Sequence, residues 1–169
     1  IICKALARLS IPYAVSIVKQ VNDELISALK REDYEVLVFA DLATAYVNEL
    51  SELGKEVFII DHHFPEVSEN RVKNVRQINP HLFKINGTKE ISAAGISYFF
   101  AKALNEGNVD LSYLALVGAI GDMQENNGFI GMNQIILDDA ISSGLVEVKE
   151  TLRLFGIQTK PLHKVLEYS

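Results

Sequence analysis

Two short runs constrain the fold of this chain most: Glu35 to Ala40 (Glu-Val-Leu-Val-Phe-Ala) and Glu56 to Ile60 (Glu-Val-Phe-Ile-Ile). Each is a continuous β-branched and aromatic stretch, too short for a helix and suited to a central parallel strand buried on both faces. Between them, Ala43 to Leu53 carries Ala45, Tyr46, Leu50 and Leu53 at helical spacing and closes at Gly54, the residue best suited to a left-handed cap. Strand, helix and strand at such intervals predict an α/β fold, a parallel β-sheet flanked by helices. Both strands stop at an acid, Asp41 and Asp61. Ligands of such sheets collect at the carboxyl ends of the strands, so the topology brings together two carboxylates that are distant in sequence.

The flanking pattern extends this reading in both directions. Ile2, Ala5, Leu6 and Leu9 mark a first helix, ended by Pro12, after which Tyr13 to Val18 reads as a strand. Asn22 to Arg31 is a short surface helix with Asn22 or Asp23 as its cap. Pro65 to Lys89 is polar and reads as loop, with an edge strand near Gln77. Ser92 caps a helix to Leu104 that Gly107 ends, and Asp110 caps the next. That next helix, Leu111 to Ile120, is apolar nearly all round; burial is expected, with delivery of Gly121-Asp122 into a cleft. Asn126-Asn127-Gly128 is a turn, Met132 to Ser143 a helix ended by Gly144, and Val146 to Ser169 an extended piece followed by short helices. The expected division is a core over 1–144 and a connector over 145–169, leading toward a further domain. Because Ile1 is not Met and already lies in a helical pattern, upstream sequence is expected as well.

Composition removes several function classes. With 169 residues, 49% hydrophobic and 22% charged, the chain can bury one ordinary core. Its longest apolar runs, such as Leu114 to Ile120, fall far short of the roughly 20 residues that span a bilayer, and no secretory pattern opens it. A cytoplasmic protein without a membrane partner is expected. Cys3 is the single cysteine, which excludes an internal disulfide and a thiolate zinc cage. A net charge of −6 argues against gripping nucleic acid by blanket electrostatics, and Lys30, Arg31, Lys73 and Arg76 are scattered rather than tracked. His81 and His163 lack ligand-spaced neighbours and are assigned to the surface.

The chemistry-bearing candidates are Asp41, Asp61-His62-His63 and Asp122. Carboxylate oxygen with imidazole nitrogen suits Mn²⁺, Mg²⁺, Fe²⁺ or Zn²⁺, and vicinal histidines can aim one ring at a metal and the other at an anion. Taken alone, each has a plainer reading: a hydrogen-bonded turn for the triplet, a helix cap for Asp41, a solvated loop acid for Asp122. Together they come from three elements expected to converge at one edge, where an acid behind an apolar helix is costly to desolvate unless a cation or hydrogen bonds compensate.

Phe39-Ala40-Asp41, Ile59-Ile60-Asp61-His62-His63, Ser92-Ala93-Ala94-Gly95 and Ala119-Ile120-Gly121-Asp122 resemble, in order and context, motifs of the DHH phosphoesterase superfamily. Among its members the resemblance is greatest to the RecJ-like, archaeal-type single-strand nucleases. It implies that Asp41 bridges two divalent ions, that His62 and Asp122 hold one of them, and that His63 contacts the substrate phosphate. Asp61 would orient an imidazole, and Ser92 and Gly95 would shape a helix start that favours phosphate. The implied cofactor is a pair of Mn²⁺ ions, with Mg²⁺ a substitute; ions about 3.5–4 Å apart acidify a shared water. The implied activity is hydrolysis of phosphodiesters in single-stranded DNA or RNA, as a replication and repair exonuclease. Two alternatives are a phosphodiesterase for oligoribonucleotides or cyclic dinucleotides, and a non-catalytic replication scaffold that binds the GINS complex. The family's first motif, His-x-Asp-x-Asp-Gly, and the glycine-rich motif of its second domain have no counterpart here. The expectation is therefore an N-terminally truncated DHH core with a partial active site, inactive alone.

Overall fold

The computed structural model describes residues 1–125, 127–149, 156 and 159–167. It is an α/β structure in which a four-stranded, mostly parallel sheet is flanked by helices. The strands are β1 (Val36–Ala40), β2 (Glu56–Ile60), β3 (Arg71–Val72) and β4 (Val75–Ile78), in the order β1-β2-β4-β3. β1, β2 and β4 run parallel, and β3 lies antiparallel to β4. Ala40 pairs with Ile60 and Ile60 with Ile78, so the strands end level. The residues that follow them, Asp41, Asp61 and Asn79, emerge side by side.

Alternation along the strands divides the apolar residues between two faces. Leu37, Val57, Ile59 and Val75 bury against Val47 and Leu50 of α3 (Val47–Ser51) and Leu25, Ile26 and Leu29 of α2 (Asp23–Arg31). Ile60 and Ile78 meet Ile96, Phe99 and Phe100 of α4 (Ala93–Leu104) on the other face. α4 then packs against α1 (Ile2–Arg8), α5 (Ser112–Gly121) and α6 (Gly131–Ser142) around Ala5, Tyr98, Leu111, Ala115, Leu116 and Ile136. The Tyr98 hydroxyl and Lys102 ammonium both donate to Asp139, at 2.6 and 2.8 Å, which ties α4 to α6 across the edge of that core. A last helix, α7, covers Leu162–Glu167.

The capping expectations hold at two helices: Asn22 Oδ1 accepts from Leu25 N at 2.8 Å, and Ser92 Oγ accepts from Gly95 N at 3.2 Å. Elsewhere the structure departs from the sequence reading. Tyr13 to Val18 forms no strand, and Tyr13, Val15 and Ile17 are 46%, 59% and 97% exposed; a β-prone run needs a strand beside it, and among the described residues none pairs with it. The helix expected from Ala43 begins only at Val47, because Asp41 and Ala43 take positive φ values of 65° and 81°, which no helix continues. The strand at Gln77 is interior rather than an edge; β1 and β3 are the edges. Asp110 does not cap α5 but pairs with Arg8 of α1 at 2.5 Å, and Asn105, not Gly107, closes α4. Nor is α5 buried all round: Val117 and Ile120 are 63% and 54% exposed. Asn127 and Gly128 have the left-handed φ of a turn, while Asn126 lies outside the described residues. Residues 146–149 are irregular, and the expected extended piece beyond them falls largely outside the described residues. Among the described residues no helix is long and apolar enough to cross a membrane.

Two glycines of α5 test this packing with opposite signs. A Cβ at Gly118 would run into the Ala94 side chain of α4, whereas one at Gly121 would meet nothing within 4 Å. Overpacking costs about 1–3 kcal/mol, and alanine in place of glycine gains up to about 1 kcal/mol of helix propensity. Gly118→Ala is expected to lower the urea midpoint and Gly121→Ala to hold or raise it. Equal shifts in chemical denaturation would refute the close approach of α4 and α5.

Candidate metal centre

The level ends of β1, β2 and β4 build the site from the backbone outward. Asp41 N donates to Ile60 O at 2.9 Å, which holds the first residue past β1 against β2. With φ at 65° its carboxylate turns out of the strand direction and stays half-exposed. Left-handed backbone at a non-glycine residue costs free energy and concentrates at functional positions; aspartate tolerates it better than most. Asp61 is the opposite case, a carboxylate only 1% exposed. Its oxygens accept from Thr44 N (3.4 Å), His63 N (3.1 Å) and His63 Nδ1 (2.6 Å), which satisfies the buried charge and ties the 41–46 loop to the end of β2. Asn79, also 1% exposed, donates to His63 O at 2.8 Å and accepts from His81 N at 3.0 Å.

The two histidines are held in different ways. His63 donates Nδ1–H to Asp61, so its Nε2 is left for an outside ligand. His62 donates Nδ1–H to Gly87 O at 2.7 Å. Its Nε2 is thereby fixed toward two carboxylates, 3.4 Å from Asp41 Oδ1 and 3.8 Å from Asp122 Oδ2. Gly87 has no room for a side chain: a Cβ there would enter the His62 carbonyl and sit 2.8 Å from His81 Nε2. The same Gly87 carbonyl accepts from Gln124 Nε2 at 2.9 Å, and Gln124 is held in turn by Ile91 O and Asn133 Nδ2. Asp122 lies at the carboxyl cap of α5, where the helix dipole adds negative potential rather than relieving it.

Negative charge therefore accumulates around one imidazole. Pairing with Asp41 raises the His62 pKa to about 9 against the opposing effect of burial, with the Gly87 carbonyl and the Asp122 charge adding to the rise. Contact with His62 in turn lowers the Asp41 pKa, and burial opposes this. In the metal-free protein a proton on His62 does the work a cation would do. Asp41, His62 and His63 each offer a donor atom within 4.8 Å of the others. Oxygen and imidazole donors without thiolate fit Mn²⁺, Mg²⁺ or Zn²⁺.

Asp41, His62, His63 and Asp122 are thus brought together, and Asp61 supports them from below by orienting His63 rather than His62. Ser92 and Gly95, expected to bind substrate, do not line the cleft. Ser92 is fully buried with its Oγ engaged as the cap of α4, and Gly95 packs against Ile91 and Ile136. The segment read as loop without chemistry supplies Asn79, Gly87 and Thr88, and also His81. The surface assignment of His81 is corrected: it is half-buried, with Nε2 3.1 Å from His62 O, and lines the cleft of about 350 Å³ beside His62, His63, Phe64 and Asp122. Asn79 carried a usable signal, since it follows β4 as Asp41 and Asp61 follow β1 and β2. Gln124 carried none.

No protein-family model matches the chain. It is 31% identical over 172 residues to an uncharacterized protein of Methanocaldococcus jannaschii, an alignment that covers 99% of this chain and 39% of the relative. The chain thus spans well under half the length of the curated relative it matches.

The shifted imidazole gives a pH signature. A folded pKa of about 9 against 6.5 unfolded means that His62 stabilises the metal-free protein fully below 6.5, a contribution lost as pH rises through about 9. The imidazole resonances of His62 in the metal-free protein are expected to titrate near 9, and in Asp41→Asn to move down toward 6.5. Since a metal must displace this proton, divalent-ion affinity should rise with pH by up to about tenfold per unit below that value. An NMR titration placing His62 near 6.5 in the parent protein would remove the coupling to Asp41.

Proposed function

We propose that this chain is a DHH-type phosphoesterase core, related to the RecJ-like nucleases, and contributes to metal-dependent hydrolysis of phosphodiesters in single-stranded nucleic acid. The observation that carries the reading is the convergence of Asp41 and Asp122 on His62 Nε2, at 3.4 and 3.8 Å, from the ends of β1, α5 and β2. Asp41, His62 and Asp122 would hold Mn²⁺, or Mg²⁺ in its place. A bound ion of this kind supplies hydroxide near neutral pH and offsets charge on a phosphoryl oxygen. The chain's own residues do the positioning. Gly87 O fixes the tautomer that turns His62 Nε2 inward, and Asp61 fixes the one that leaves His63 Nε2 open to a phosphate oxygen. Because Asp41 and Asp122 hold negative charge at the cleft, a phosphate without a cation would be repelled, which favours a metal-dependent reaction over a metal-free one.

Oligoribonucleotides and cyclic dinucleotides fall within the same chemistry. A replication scaffold bound to GINS is the non-enzymatic reading, and it requires neither metal nor hydrolysis. Electron paramagnetic resonance of Mn²⁺ with this chain is expected to detect binding that Asp122→Ala and Asp41→Asn each weaken by at least about tenfold. In a longer polypeptide that contains this chain, degradation of a single-stranded oligonucleotide is expected to require Mn²⁺ and to be abolished by Asp122→Ala. Metal-independent cleavage, or Mn²⁺ binding indifferent to both substitutions, would overturn the hydrolase reading; metal binding without cleavage in the longer polypeptide would favour the scaffold.

A further inference from the structure

Phe64 is a residue that neither the candidate metal centre nor the core explains. It follows His63 directly, is 81% exposed, and lines the same cleft as His62, His63 and Asp122. Single exposed apolar residues are ordinary on protein surfaces, but this ring has an aromatic partner at the cleft. His81 lies against it with ring centroids 5.0 Å apart and planes at 50°, and His81 is itself fixed through its backbone N–H to Asn79 Oδ1 and through Nε2 beside His62 O. The buried Asn79 therefore braces both the His63 end of the metal centre and the back of the aromatic pair. One part of the Phe64 ring is occupied by His81, and the remainder is open to the cleft.

We infer that Phe64, backed by His81, is a stacking platform for the nucleobase next to the phosphate held at the metal centre. The inference rests on the hydrolase reading and assigns recognition of the base, as distinct from the phosphate, to Phe64. Charge points the same way. Among the described residues, the side chains lining the cleft include no Lys or Arg, and the chain as a whole carries −6. Affinity for a polyanion must then come from the metal and from contacts that ignore charge. Base stacking on an aromatic ring is such a contact, and it is tolerant of sequence because every base has a π-face.

The chain contains no tryptophan, so Phe64→Trp introduces a single fluorescent reporter at the platform. With Mn²⁺ present, deoxyadenosine 5′-monophosphate is expected to quench this tryptophan and ribose 5-phosphate to leave it unchanged. By calorimetry the parent should prefer the nucleotide over ribose 5-phosphate, and Phe64→Ala should reduce that preference by about 5- to 150-fold, the range for one stacked base. Equal affinity of the parent for the two compounds, or a preference that survives Phe64→Ala, overturns the platform and leaves the hydrolase reading standing. If neither compound binds in a Mn²⁺-dependent way, both fall together.

Discussion

The parallel register of β1, β2 and β4 is the constraint on which the rest of the structure depends. Because Ala40, Ile60 and Ile78 lie in line across the sheet, the next residue of each strand is delivered to one edge at strand spacing. Those residues are Asp41, Asp61 and Asn79, and they divide the work between them. Asp61 and Asn79 are buried and spend their polar atoms on Thr44, His63 and His81, which holds the loops after the strands in place. Asp41, turned out by its left-handed backbone, keeps its carboxylate available. A slip by one residue would exchange the two faces of a strand and bury charge in the apolar core, so the pattern that makes the sheet also fixes the site.

Much of this was legible in the sequence because it follows from local rules. Strand runs bounded by acids, a helical repeat closed by Gly54 and a serine before an apolar helix each report on a few neighbouring residues, and β1, β2 and α4 appear where those signals place them. What could not be read depends on partners distant in the chain. Tyr13 to Val18 has strand composition yet finds no strand to pair with, and α5 has apolar residues all round yet leaves Val117 and Ile120 exposed. The sequence of α5 describes what each face could bury, not how many neighbours arrive.

The same distinction separates the visible part of the site from the hidden part. Asp41, His62, His63 and Asp122 stood out because charged or imidazole side chains at the ends of apolar elements are costly without a partner. Gly87, Gln124 and Asn133 did not, because an amide or a glycine in a polar stretch is unremarkable until its hydrogen bonds are known. Their contribution is nonetheless specific: Gly87 O receives both His62 Nδ1–H and Gln124 Nε2–H, and Gln124 is braced by Asn133 across to α6. A side chain on residue 87 would displace the carbonyl of the histidine it orients. Ser92 and Gly95 illustrate the converse error, since a cap and a close helix contact have the sequence signature of a phosphate-binding helix start but are used up by packing.

The electrostatics of the cleft follow from how the two histidines are tethered. His62 is held by a neutral carbonyl, so its proton balance is set by the acids on its other side, and Asp41 and Asp122 draw positive charge to that nitrogen. His63 is held by the buried Asp61 carboxylate, which accepts from both its backbone N–H and its Nδ1–H. The inner imidazole therefore reports the charge of the cleft, while the outer one hydrogen-bonds a buried acid and presents its remaining nitrogen to the cleft. The acids are thus separated into a buried one hydrogen-bonded by its own histidine and an open pair around a second, so that each carboxylate has an imidazole within reach.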